Sequence, residues 1–101
     1  MGEGCAQGNL DGAEAAYRAS LAVSERLAQA DPSNAQWQRD LFFTLWWVAH
    51  LRDLQGDRAA ARPVAQRALG LAQRLAALDP LNVTWQQDLS VGQELVQRLG
   101  G

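Results

Sequence analysis

Residues 24–41 read SERLAQADPSNAQWQRDL, and residues 72–89 read AQRLAALDPLNVTWQQDL. Asp31, Pro32, Asn34, Trp37, Asp40 and Leu41 recur as Asp79, Pro80, Asn82, Trp85, Asp88 and Leu89, each 48 residues later and without a gap. The same offset links Gly8 to Gly56 and Leu21 to Leu69, and then Val48 to Val96 and Leu51 to Leu99. The chain is two copies of one unit, residues 8–55 and 56–101. A fixed period of this length marks stacked supersecondary units, each burying its apolar face on the next.

Each copy predicts two helices. Gly8-Asn9 and Gly56-Asp57 pair a breaker with a residue whose side chain accepts from the free N–H groups of a first turn. The helices they open carry apolar stripes at helical spacing and run to about Ala30 and Leu78. Asp31-Pro32 and Asp79-Pro80 end them, because a residue before proline is pushed out of the helical region. Ser33 or Asn34 caps the next helix in the first copy and Asn82 caps it in the second, with ends near Gln55 and Arg98. Short links make neighbouring helices antiparallel. The expected fold is all-α: four antiparallel helices in hairpin repeats, residues 9–99, behind a flexible Gly-rich leader, residues 1–8. Pro63 falls inside the helix opening at Asp57, where a kink or a frayed first turn is expected.

Composition narrows the function. The 101 residues are 48% hydrophobic with a net charge of −2, and no basic run exists, which argues against nucleic acid and against an anionic membrane surface. All nine basic residues are arginine, as a coding bias toward Arg and Ala would give. Cys5 is the single cysteine, so neither an internal disulfide nor a cysteine metal cluster can form within the chain. No basic region precedes an apolar run, so no secretory signal is read and the expected location is the cytoplasm. The apolar run Leu41–Leu51 is interrupted by Thr44 and His50 and is far short of the ~20 residues of a membrane span.

The stretch from Val48 to Leu69, VAHLRDLQGDRAAARPVAQRAL, resembles the tetratricopeptide repeat. In that family a small residue, here Ala49, lets two helices approach. Gly56-Asp57 is then the turn, and Ala61 and Ala68 pack the second helix on the first. Between those alanines the family often has an aromatic; Ala65 stands there in this copy and Tyr17 in the other. The long period and the linker D-P-x-N-x-x-W-Q-x-D-L are similar to the extended, kinesin-light-chain-like subtype found in many large bacterial proteins. In the family's phase, residues 9–30 resemble a second helix, 35–78 one whole repeat, and 83–99 the first helix of a third. A fragment of a longer signalling protein, a decayed remnant, and a unit completed by a second chain all remain open on this reading.

Helix 35–55 holds DLFFTLWWVAHLRDL, residues 40–54. Trp37, Leu41, Thr44, Leu45, Val48 and Leu51 share one apolar face. Phe42, Phe43, Trp46 and Trp47 fall outside it, with Arg39, Ala49, His50 and Asp53, where an amphipathic helix is normally polar. The resemblance implies a concave groove lined by first helices. Its positions match Phe43, Trp46, Trp47, His50, Asp53 and Leu54, then Val91, Glu94, Leu95 and Arg98. Relatives that clamp a peptide's terminal carboxylate use Lys and Asn at groove positions; Trp46 and His50 replace them here, so an aromatic contact is expected instead.

Catalytic chemistry is not expected. His50 is the only histidine and has no nucleophile in suggestive sequence context. The acidic residues form no dense cluster, and no phosphate-cradling loop is present, so neither metal nor cofactor is expected. Arg39 with Asp40 and Glu25 with Arg26 read as solvated pairs, and Trp37 and Trp85 as structural plugs. The expected function is non-catalytic capture of a protein or peptide partner, Phe43, Trp46, Trp47 and His50 giving the contact and Asp53, Glu94 and Arg98 the polar rim. The alternative is a structural unit that associates with a second copy of itself.

Overall fold

A computed structural model describes residues 2–100, with the side chains of residues 2–11 and of Glu14 outside the description. Four helices follow in order: α1 (Gly2–Ala30), α2 (Ala35–Leu54), α3 (Arg58–Leu78) and α4 (Val83–Arg98). The fold is an all-α array of helical hairpins with no strand among the described residues. None of these helices is long and apolar enough to cross a membrane.

The repeat is visible in bonds as well as letters. Asn34 accepts from the Trp37 backbone N–H at 3.2 Å, and Asn82 from that of Trp85 at 3.1 Å. Gln38 donates to the Ala28 carbonyl at 3.2 Å, and Gln86 to that of Ala76 at 3.3 Å. Each asparagine thus satisfies an orphan donor of its helix, and each glutamine ties that helix back to the one before. Asp57 caps α3 through Ala60 N–H. Gly56, at φ 86°, supplies the left-handed step that reverses the chain after α2, and Gly100 repeats that conformation after α4.

Two helix ends depart from expectation. α1 begins at Gly2, so helix covers the segment read as a leader and runs through Gly8. A helical glycine costs about 1 kcal/mol and does not by itself stop a helix; the expected Asn9 cap lies among the side chains outside the description. α3 continues through Pro63 with its first turn intact, the Ala61 N–H reaching the Asp57 carbonyl at 3.1 Å. Pro63 is solvent-exposed, which leaves room for its ring.

α2 packs on α1, on α3 and more lightly on α4; α3 packs on α4; the α1 and α3 backbones stay apart, bridged by Glu25 and Arg67. α2 and α4 thus lie closer together than α1 and α3, and we call the face they share the inner side. Burial corrects the expected face of α2. Phe42 and Ala49, placed outside the apolar face by sequence, are fully buried. Phe42 and Leu45 pack with Ala68 and Ala72 of α3, and Ala49 packs with Ala61, Ala65 and Leu95. A helix clasped on three sides buries more than one stripe. Small residues make the close approach possible: a Cβ at Gly92 would lie 3.4 Å from both the Leu69 Cα and the Phe42 ring.

Two ion pairs also differ from the reading of adjacent residues. Arg39 Nε donates to Asp88 at 2.7 Å, joining α2 to α4, while Asp40 accepts from Gln36. Glu25 accepts from Arg67 of α3 at 2.9 Å. Side chains next to one another in sequence diverge on a helix, so each pair was free to reach across elements instead.

Candidate functional site

The inner side carries the aromatic cluster, and its four large rings divide by a rotation of 100° per residue. Phe42 goes to the core. Phe43, half-buried, lies edge-on to Phe42, with the Arg39 guanidinium 4.9 Å from its centroid. That guanidinium also holds buried Asp88. The bond to Asp88 raises the Arg39 pKa above its ordinary value, and the charges of Asp88 and Asp40 reinforce this against the opposing effect of burial. The Phe43 end of the site is thus tied to α4 by an ion pair whose guanidinium stays charged throughout the neutral range.

Trp46 and His50, one turn apart on α2, stack with centroids 4.9 Å apart and planes 22° from parallel. Trp47 meets both edge-on, at 5.0 Å from Trp46 and 5.7 Å from His50. It also stacks on Tyr17 of α1 at 5.8 Å, with planes only 12° apart. Trp47 nevertheless keeps 40% of its surface exposed. Tyr17 therefore extends the cluster onto α1. Sequence reading placed it only as an aromatic packing position; the signal was present, since Tyr17 faces the helix that bears Trp47.

Trp46 also faces α4. With Val91, Glu94, Leu95 and Arg98 it lines a hollow of about 60 Å³ between α2 and α4. This is space for a water or two, too small for a cofactor, which needs roughly 300 Å³ or more. Glu94 and Arg98 are exposed at the edge of the hollow. Inside the cluster, the Trp46 Nε1 and His50 Nδ1 atoms are buried and meet no hydrogen-bond partner among the described residues. A buried donor or acceptor left unpaired costs about 1–3 kcal/mol, so both atoms mark a local cost within the cluster.

The remaining expected site residues stand apart from the hollow. Asp53 is half-buried and accepts from Arg58 Nε at 3.2 Å, tying α2 to the start of α3 across the turn. Leu54 is exposed at the C-terminal end of α2. Trp37 and Trp85 are half-buried at matching places in the first turns of α2 and α4.

A larger hollow, about 440 Å³, lies on the outer side between α1 and α3, over Leu41 and Leu45. It exists because Ala28 and Gly70 are small and the two helix backbones stay apart. Its polar groups are largely engaged: Glu25 with Arg67 across its mouth, and Gln38 with the Ala28 and Pro32 carbonyls. It contains no unpaired buried atom comparable to those of Trp46 and His50. Among the described residues no group of His, Cys, Asp and Glu is arranged to hold a metal ion. Compared with protein-family models, with curated proteins and with solved structures, the chain has no match.

Proposed function

We propose that the chain is a non-catalytic, cytoplasmic binding module of tetratricopeptide-repeat type that captures a peptide segment on the inner side of α2 and α4. One observation carries this reading: the half-buried Trp46 lines a hollow between α2 and α4 with Val91, Glu94, Leu95 and Arg98. An apolar peptide side chain gains contact with the Trp46 ring and with Val91 and Leu95. Glu94 and Arg98, one helical turn apart, present both charges at the rim and select for polar flanks. Tryptophan at the centre of a patch with a polar rim is the arrangement in which a few residues dominate binding energy.

The test is selection from a random-peptide display library against the 101-residue chain. Enriched peptides should share an aromatic or aliphatic anchor, and Trp46→Ala should weaken them at least tenfold, about 1.4 kcal/mol. Leu81→Ser, at an exposed position in the link before α4, should leave them unchanged. Failure to enrich, or binding indifferent to Trp46, contradicts the reading.

A further inference from the structure

The 48-residue register compares each helix with its own copy, and the two ends of the array differ. α3 meets α2 along Ala61, Val64, Ala68 and Leu71, and buried Leu75 continues that stripe, the spacing being three, four, three and four residues. Ala61, Ala68 and Leu75 are essentially buried there. The same seam recurs on α1 as Ala13, Ala16, Ser20, Val23 and Leu27, with Ala30 one step on. On α1 no helix covers it. Leu27 is 38% exposed where its counterpart Leu75 is 2%, Val23 is 54% exposed, and Ala16 and Ser20 are exposed too. No charged residue falls on the seam.

The other end is closed. On α2, Phe42, Leu45 and Ala49 are buried against α3. Their counterparts on α4 are Ser90, Gln93 and Gln97, all exposed. α4 thus wears the polar face that a terminal helix of a repeat array needs. Stacking the α4 end of one copy on the α1 end of another would bury those glutamines, so head-to-tail growth is disfavoured.

We infer that α1 is a dimerisation helix, and that a second copy of this chain covers its seam by antiparallel, two-fold packing of α1 on α1. The seam is self-complementary only in that sense. Its small residues lie toward the N-terminus and its large ones toward the C-terminus. Antiparallel heptad pairing sets Leu27 on the partner's Ala16, Val23 on the partner's Ser20, and Ala30 on the partner's Ala13, so each large side chain meets a small one. Parallel pairing sets large on large and leaves the alanine half underfilled. Arg26 flanks the seam opposite the partner's Ala19, so no like charges face each other. The inner groove of each copy lies on other helices and stays open. The seam covers residues 13–30, ~26 Å at ~1.5 Å per residue, so the contact belongs to the small class below about 1,200 Å². Dissociation constants of roughly 10–100 µM suit such a contact.

Sedimentation velocity of the whole chain from about 1 to 500 µM tests it, a range that brackets those constants. The weight-average mass should rise from 11.0 kDa toward twice that value. The double variant Val23→Gln, Leu27→Gln should remain monomeric with unchanged helical circular dichroism, since both side chains are exposed in the monomer. Ala16→Trp should also remain monomeric, because the added ring occupies the place of the partner's Leu27. Trp46→Ala and Gln93→Ala should associate like the parent. A monomer at every concentration overturns the proposal and leaves the seam to a helix of another polypeptide. A dimer lost in Trp46→Ala but kept in the double glutamine variant overturns it as well, and moves the interface to the aromatic groove.

Discussion

At the scale of single residues, two phenylalanines one position apart have different tasks. Phe42 is fully buried among α2, α3 and α4, and Phe43 sits at the groove under Arg39. Phe42→Ala should cost about 3–5 kcal/mol in denaturant unfolding, the range for a large core aromatic. Phe43→Ala should cost less than half of that, since its ring keeps one face open. Asp88 makes a similar contrast with Asp40, its copy. Asp88→Ala leaves Arg39 without its buried acceptor and should cost about 1–3 kcal/mol, whereas Asp40→Ala, at an exposed position, should fall within ~0.5 kcal/mol. Equal losses in the two aspartate variants would show that the α2–α4 bridge contributes nothing special. Sequence alone gives Asp40 and Asp88 the same letter and nearly the same neighbours. What separates them is that Asp88 has a helix packed before it with an arginine in reach, and that is a property of position in the stack.

At the scale of elements, the helix boundaries were legible because their causes are local. Asn34, Asp57 and Asn82 each accept from a backbone N–H three residues on, and those bonds need nothing beyond the adjoining turn. Asn34→Ala and Asn82→Ala should each cost about 0.5–2 kcal/mol. Calorimetric midpoints of the two variants check this, and the matching geometry predicts similar shifts. The α1 start was not legible, because a glycine in a helix is a modest penalty that packing or neighbouring residues outweigh. The faces of α2 were only half legible. Helical periodicity assigns one apolar stripe, but α2 touches three helices, so Phe42 and Ala49 were misassigned to the open side. Gly92 shows the same dependence on neighbours. Nothing in its sequence context marks it, yet α4 crosses Leu69 and Phe42 so closely that Gly92→Val must push α4 outward. A loss of about 1–3 kcal/mol is expected for such overpacking. A Gly92→Val variant as stable as the parent would mean that α4 shifts freely over α3.

At the scale of the whole molecule, the array has a direction. One end is closed by glutamines on α4, the other shows an apolar seam on α1, and the aromatic groove lies on the inner side between α2 and α4. The register of 48 residues made the architecture readable before any coordinates, because a repeat states which helix follows which. The tetratricopeptide resemblance put Trp46, Glu94 and Arg98 among its groove positions, and the structure brings those three to one hollow. The partition of the aromatic cluster was beyond both. That Trp47 turns to Tyr17 while Trp46 turns to α4 depends on ring stacking across helices, which no spacing within α2 encodes.

Trp46 is the proposed working surface, and the chain carries its own reporters for it. Its four tryptophans give four indole N–H signals in a nitrogen–proton correlation spectrum, assignable by single Trp→Phe variants. Titration with a display-selected peptide should move the Trp46 signal most, as its ring takes the anchor side chain. The Trp47 signal should follow by contact, and those of Trp37 and Trp85 should stay in place. Shifts confined to Trp37 or Trp85, or none at Trp46 while the peptide is bound, would place the binding surface elsewhere and contradict the account.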